Sequence, residues 1–216
     1  MKKNFTEIVF VLDESGSMED LRSDTVGGFN SLIGKQKNEE GDAVVSAVLF
    51  STESHVLYDR VPIENIGRMT EKDYCPNGGT ALLDAVGDAV RHIRNIHKYA
   101  RPDDVPEHTL FIVTTDGMEN SSRKYTAKKV KSMITEQKEK YGWEFVFLGA
   151  NIDSAETAES IGIAPASAVD CFADSVGCTV QYETMSRAVS IARKGIKLSD
   201  CSEWREDADA DIRRRK

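Results

Sequence analysis

The stretch VFVLDESGSMED, residues 9–20, decides the fold because it joins a buried strand directly to a cluster of oxygen-bearing side chains. Residues 7–12 (EIVFVL) place apolar side chains on both faces of a strand and are rich in β-branched residues, which is typical of the centre of a parallel sheet. At Asp13 the chain changes to acids, two serines and a glycine. A buried strand that ends in such a cluster suggests that these oxygens bind something.

Length and composition limit the classes of protein to consider. The chain has 216 residues, 40% of them hydrophobic, which is enough for one domain with a full core. Its 28 basic and 36 acidic residues give a net charge of -8, so its field repels nucleic acids and anionic membranes, and we expect neither as a partner. The first apolar stretch, Ile8 to Leu12, is too short for a secretory signal or a membrane span, so we expect a cytoplasmic protein.

The four cysteines predict free thiols rather than a metal site. They form no CxxC pair and have no histidine at a spacing suited to zinc, and they are Cys75, Cys171, Cys178 and Cys201. In a cytoplasmic protein the reduced form is the default. A disulfide or redox pair between Cys171 and Cys178 is the alternative.

Apolar runs alternate with amphipathic runs along the chain, which predicts a sheet covered by helices on both faces. The predicted strands are residues 7–12, 43–50, 55–59, 108–115, 143–150 and 166–172, and the predicted helices are residues 21–33, 80–99, 130–141 and 179–194. Residues 55–59 follow a short turn and are predicted to be an antiparallel edge strand. The fold class is therefore α/β, a Rossmann-like doubly wound and mostly parallel sheet with one antiparallel edge strand.

The last twenty residues differ from the rest of the chain in composition. We expect one domain over residues 1–196, followed by a charged tail or helix over residues 197–216. This tail lacks an apolar stripe and ends in a basic run, so it is predicted to be a solvated helix or a frayed end. Trp204 is its only large apolar anchor, and we expect it to pack on the body of the protein.

Three oxygen-rich stretches should meet at the carboxyl edge of the sheet, where open α/β sheets bind ligands. The first contains Asp13, Ser15 and Ser17, the second is NGGTALLDA with Thr80, and the third is VTTDGMEN with Asp116. Each stretch alone is also explained by an ordinary loop, a helix N-cap or a turn. Together they would form an unpaired polar cluster unless something bound them.

A hard divalent cation fits this set of side chains. Mg²⁺ takes about six oxygens in near-octahedral geometry and accepts hydroxyls and water among them. Cysteine and histidine are absent from all three stretches, which argues against zinc or copper. With only two carboxylates the ion would keep residual positive charge and an open position, which an acidic group from outside could fill.

These motifs resemble a known family. The segments DESGSM (13–18), GGT (78–80) and TDG (115–117), in this order, resemble the metal ion-dependent adhesion site (MIDAS) of von Willebrand factor type A (vWA) domains. The resemblance covers roughly residues 5–195 and implies a Mg²⁺, Mn²⁺ or Ca²⁺ ion held by Asp13, Ser15, Ser17, Thr80 and Asp116. It also implies that the ion captures a Glu or Asp of a protein partner.

Within that family the chain is most similar to the small stand-alone bacterial members, including those near tellurium-resistance operons. This similarity suggests an AAA+ ATPase or a stress-system protein as the partner.

The alternative function is a Mg²⁺-dependent hydrolase or phosphoryl-transfer enzyme of α/β type. A phosphatase with an aspartyl nucleophile would need a second Asp two residues after Asp13, where Ser15 stands, and no P-loop or GxGxxG follows the first strand. We therefore expect a binding module and not an enzyme. Three further acids near the motifs are assigned no ligand role: Glu14 is assigned to solvent, Glu119 to a loop and Asp84 to the first turn of a helix.

Overall fold

A six-stranded sheet organises the chain, which a computed structural model describes over residues 1–215. The regular elements are, in chain order, β1 (Lys2–Asp13), α1 (Arg22–Gln36), β2 (Asp42–Phe50), β3 (Ser54–Pro62), α2 (Leu82–Tyr99), β4 (Pro106–Thr115), α3 (Ala127–Tyr141), β5 (Glu144–Ala150), α4 (Ser154–Ser160), β6 (Ala168–Cys171), α5 (Ser175–Arg193) and α6 (Glu206–Arg215). Short 3₁₀ turns occupy several of the connections, and the turn at Gly16–Leu21 leads directly into α1.

The strand order is β3-β2-β1-β4-β5-β6. All neighbouring pairs are parallel except β2 with β3, which is antiparallel and lies at one edge. This confirms the predicted α/β class, including its antiparallel edge strand. The chain first runs from β1 outward to β2 and β3 and then returns to β4 on the other side of β1, so the order reverses between β1 and β4.

The pleat of β1 divides the core into two layers. Ile8, Phe10 and Leu12 belong to the layer beneath α1 and α5, and Phe10 meets the ring of Phe29 edge to face at 5.6 Å. Val9 and Val11 belong to the opposite layer, beneath α2 and α3. Each fully buried side chain of this size contributes roughly 1.5–3 kcal/mol, so both faces of the sheet are strongly covered. Among residues 1–215, no helix is both long enough and apolar enough to cross a bilayer.

Several predicted helix boundaries differ from those in the structure. The second helix begins at Leu82 rather than at Thr80, and the last large helix begins at Ser175 rather than at residue 179, because Asp174 caps it by accepting from the Gly177 N–H at 2.8 Å. The short helix α4 had no apolar periodicity long enough to predict it. Gly142 ends α3 as predicted, in the left-handed conformation.

The predicted charged helix of the tail is present as α6, but it packs on the body rather than being solvated or frayed, and the expected docking of Trp204 is confirmed. Trp204 is 1% exposed, and α6 packs on α5 and β6. The guanidinium of Arg215 lies 4.0 Å from the ring centre of Phe172 and forms an ion pair with Asp174. The segment is short of apolar residues but holds its position with one large anchor and several ion pairs. Lys216, the final residue of the predicted tail, lies outside the described residues, and the proposed boundary at residue 196 stays a prediction.

Candidate metal centre

The candidate site lies at the carboxyl ends of β1 and β4, where the strand order reverses. In the parallel register Leu12 pairs with Thr114, so Asp13 at the end of β1 comes beside Thr115. Asp116 is the residue after β4. Parallel pairing thus brings together two carboxylates that are 103 residues apart in the sequence, at the position where α/β sheets bind ligands.

Four of the five predicted ligands are joined by hydrogen bonds. Asp13 Oδ1 accepts from the Ser15 N–H at 2.7 Å, and Asp13 Oδ2 accepts from the Thr115 hydroxyl at 2.5 Å. Asp116 Oδ1 accepts from the hydroxyls of Ser17 at 2.8 Å and Ser15 at 3.5 Å. Asp13, Ser15 and Asp116 are buried, whereas Ser17 is exposed, so the cluster opens to solvent on the side of Ser17.

Three of these oxygens have a spacing that suits a small divalent ion. The Ser15 Oγ, Ser17 Oγ and Asp116 Oδ1 atoms form a triangle with sides of 2.8, 3.2 and 3.5 Å. Neighbouring ligands of an octahedral Mg²⁺ with metal–oxygen distances of about 2.1 Å are themselves about 3 Å apart. The donor set is made of oxygen alone, which also fits Mg²⁺ or Mn²⁺.

Thr80 lies on the loop before α2, near the residue that follows Asp116. A methyl group placed on Gly117 would lie 3.4 Å from the Thr80 Oγ1 atom, so this hydroxyl is close to the residue that follows Asp116. Gly78 has a φ of +65° and its carbonyl accepts from the Gly16 N–H at 3.1 Å, which joins the second loop to the first. A residue with a Cβ rarely adopts this backbone conformation, so glycine is required for the loop to approach the ligands closely.

Among residues 1–215 the two carboxylates have polar neighbours but no cationic partner. The groups that donate to Asp13 and Asp116 are three hydroxyls and one backbone N–H, and none of them carries a positive charge. Burial raises the pKa of Asp13, hydrogen bonds from Thr115 and Ser15 oppose this, and the nearby charge of Asp116 raises the pKa further. Within residues 1–215 no three His, Cys, Asp or Glu side chains are grouped to hold a metal, so a metal here depends on hydroxyl ligands as well as the two carboxylates.

Glu14 has a structural role that the sequence did not reveal, because the assignment of its side chain to solvent is wrong. It is buried and accepts from the backbone N–H of Cys75, and its carbonyl accepts from the Asn77 N–H at 2.9 Å. Glu14 therefore connects the DESGS loop to the loop that leads to Thr80.

The two other nearby acids also fasten loops. Glu119 and Asp84 accept seven hydrogen bonds, six of them from backbone N–H groups, between the loop after β4 and the start of α2. The sequence contains one usable signal for this role: each acid lies beside a predicted helix start or a Ser-rich loop, where unpaired N–H groups collect.

Comparison with solved structures identifies the fold. A vWA protein from Catenulispora acidiphila aligns with a TM-score of 0.58 at 15% identity, over 84% of this chain and 42% of that one. The proximal thread matrix protein 1 of the mussel byssus, with zinc in its MIDAS motif, aligns with a TM-score of 0.57 at 14% identity, over 87% and 46%. Manganese-loaded TRAP protein of Plasmodium vivax aligns with a TM-score of 0.55 at 15% identity, over 83% and 73%.

These similarities establish the fold and nothing finer. No protein-family profile and no curated protein sequence matches this chain. The chain spans less than half the length of the mussel and Catenulispora proteins. It has the fold of a vWA domain, as the DESGS, GGT and TDG segments predicted.

Proposed function

We propose that this chain is a divalent-metal-dependent protein-binding module whose ion is held by Asp13, Ser15, Ser17, Thr80 and Asp116. The observation that carries the proposal is the solvent-open oxygen cluster, in which two carboxylates meet three hydroxyls and pair with no Lys, Arg or His side chain among residues 1–215. The zinc in the mussel MIDAS motif and the manganese loaded into TRAP support the binding of a divalent ion by a protein of this fold. The oxygen ligands favour Mg²⁺ or Mn²⁺ for this chain.

The partner in this proposal supplies a carboxylate. An ion bound by two carboxylates and neutral hydroxyls attracts a further acidic ligand. Asp13, Ser15 and Thr80 hold their oxygens from the buried side, so the exposed side near Ser17 is left for the partner. A chain of charge -8 repels an acidic partner at a distance, and an exposed ion pair adds only about 0–1 kcal/mol, so the ion has to provide the main attraction.

Binding rather than catalysis is proposed because the donors around the two carboxylates are hydroxyls and an N–H that hold them in place. Thr115 and Ser15 hold Asp13, and Ser17 holds Asp116. A hydrolase would also need a positioned general base or nucleophile beside the ion.

The first test is metal binding by calorimetry. The wild type should bind Mg²⁺ or Mn²⁺, and Asp13→Ala combined with Asp116→Ala should abolish binding while circular dichroism shows an intact fold. The matched control is Asp42→Ala combined with Asp103→Ala, which changes the net charge equally at two exposed positions. Unchanged binding by the site variant, or equal loss in the control, would show that the ligand assignment is wrong.

The second test concerns the carboxylate of the partner. Displayed random peptides would be captured on the wild type in Mg²⁺ and released with EDTA, and each acidic residue of a selected peptide would be replaced by its amide. Loss of binding with one such replacement is the expected result. Binding that persists in EDTA, or that tolerates every amide replacement, would contradict capture through the ion.

A further inference from the structure

The helix α2 cannot satisfy its own first N–H groups. Its N-cap position is occupied by Ala81, whose side chain has no acceptor. The first N–H groups of a helix have no partner within the helix and need acceptors from elsewhere. Such acceptors are supplied by the loop that follows β4, residues 117–125.

Glu119 is the main acceptor in this loop. Its Oε2 atom accepts from the Leu83 N–H at 2.9 Å and from the Ser122 hydroxyl at 2.7 Å, while the Ser122 Oγ accepts from the Asp84 N–H at 3.0 Å. Its Oε1 atom accepts from the N–H groups of Ser121 at 2.9 Å and Ser122 at 2.7 Å. One carboxylate therefore caps α2 and folds its own loop, and its negative charge suits the N-terminal end of a helix.

Asn120 joins the same loop to the backbone of Thr80 both as an acceptor and as a donor. Its Oδ1 atom accepts from the Thr80 N–H at 2.8 Å, and its own N–H donates to the Thr80 carbonyl at 3.0 Å. A Cβ on Gly79 would collide with the side chains of Asn120 and Ser121, so the glycine permits this contact. The backbone of Thr80, one predicted ligand, is thus fixed to the loop of residues 117–125. This loop begins directly after Asp116, a second predicted ligand.

We infer that Glu119 is a positioning residue that sets the distance between Thr80 and Asp116. The inference rests on the proposed metal-binding function. Glu119 anchors the loop to α2, and Asn120 anchors it to the backbone of Thr80. Gly117 and Met118 form the short connection from this anchored loop to Asp116. Replacement of residues that orient metal ligands without touching the ion typically lowers metal affinity by about 10–100-fold.

Asp84 provides a matched comparison within the same loop. Its carboxylate accepts from the N–H groups of Arg123 at 2.8 Å and of Lys124 and Tyr125 at 2.9 Å, so it also anchors the loop to α2. These bonds lie at the end of the loop remote from Asp116. If Glu119 only ordered the loop, loss of Asp84 would affect metal binding to the same extent.

The experiment compares Glu119→Gln with Asp84→Asn in the full chain by calorimetry with Mg²⁺ and with Ca²⁺. The glutamine keeps one oxygen but turns an NH₂ group toward donors, so either the bond from the Leu83 N–H or the two backbone bonds to the other oxygen are lost. Glu119→Gln should weaken Mg²⁺ binding by about tenfold or more, as orienting residues do. Ca²⁺ binding should fall by only about threefold, because Ca²⁺ tolerates irregular geometry while Mg²⁺ requires near-ideal octahedral geometry. Asp84→Asn should leave the ratio of the two affinities unchanged.

A change in the ratio of Mg²⁺ to Ca²⁺ affinity is a readout that general destabilisation would not produce. Hydrogen exchange in EDTA supplies a second readout, since the Leu83 amide should lose protection in Glu119→Gln and keep it in Asp84→Asn. If Glu119→Gln fails to fold, Asn120→Ala should produce the same change of ratio, because it removes the oxygen that accepts from both the Thr80 N–H and the Ser121 hydroxyl.

The outcomes separate this inference from the function on which it rests. A wild type that binds neither ion overturns both. A wild type that binds Mg²⁺, with Glu119→Gln and Asp84→Asn weakened equally or with an unchanged affinity ratio, overturns the positioning role and leaves the metal site standing.

Discussion

The two ends of the buried part of β1, residues 6–13, treat buried carboxylates in opposite ways. At the amino end Glu7 is fully buried, and its two oxygens pair with Arg60 Nε at 2.8 Å and His97 Nε2 at 2.6 Å. At the carboxyl end Asp13 is 1% exposed and meets Asp116, with hydroxyls and an N–H as their donors. The same strand therefore carries one carboxylate that pairs with the guanidinium of Arg60 and bonds to His97, and one whose donors are hydroxyls and an N–H.

This difference indicates where a cation from outside belongs. Burying an ionised carboxylate costs several kcal/mol of free energy unless the carboxylate is paired. At Glu7 side chains of the chain itself provide the pairing. At Asp13 and Asp116 two like charges lie close together in a site open to solvent beside Ser17. A divalent ion would bind the carboxylates of Asp13 and Asp116 at this end, as Arg60 and His97 bind the carboxylate of Glu7 at the other.

The largest predicted effect concerns the amino end. Glu7→Ala should lower the free energy of unfolding by about 3–5 kcal/mol, because it leaves Arg60 and His97 without their partner. Urea denaturation in EDTA measures this, with Asp42→Ala as the control. Asp42 pairs with Lys2 at the exposed surface, where the loss should be about 0–1 kcal/mol. Metal affinity of folded Glu7→Ala should equal that of the wild type. A loss as small as that of Asp42→Ala would show that the contrast between the ends of β1 has no energetic basis.

The next effect is stabilisation by the ion itself. At a Mg²⁺ concentration 100 times the dissociation constant the wild type should gain about 2.7 kcal/mol relative to EDTA, since the ion binds only the folded state. Asp116→Asn should lose this gain, and Asp42→Ala should keep it. Thermal melting with and without Mg²⁺ measures both. A gain of equal size in Asp116→Asn would place the stabilising ion elsewhere.

The sequence predicts that the oxygen-bearing side chains meet at one edge of the sheet, because each follows an apolar strand or a glycine turn. Asp13 and Asp116 end runs of β-branched and aromatic residues, and the parallel register then determines that they meet. The positions of the helices follow from apolar periodicity for the same reason, as in α2 and α3.

The supporting contacts could not be predicted in this way. Glu119 accepts from Leu83, 36 residues earlier, and Glu14 accepts from Cys75, 61 residues later, so neither contact leaves a local pattern. Glu7 lies in an apolar run and its partners come from two other elements. The docking of α6 depends on Trp204 and on charged pairs rather than on an apolar stripe, so composition alone suggested a solvated end.

The smallest effect tests whether the carboxyl end holds an unbalanced charge. Asp116→Asn keeps the side-chain volume and an oxygen that can accept from the Ser17 hydroxyl, but it removes one of two neighbouring negative charges. Burial and, to a smaller extent, the negative charge of Asp116 raise the pKa of Asp13. Removal of that charge should therefore leave the variant, in EDTA at pH 7, as stable as the wild type or up to about 1 kcal/mol more stable. Urea denaturation in EDTA gives this difference, and Glu7→Gln measured in parallel should show a clear loss. If Asp116→Asn instead lowered the free energy of unfolding as much as Glu7→Gln does, Asp116 would be a structural residue like Glu7. The carboxylates at the carboxyl end would then be explained without an ion.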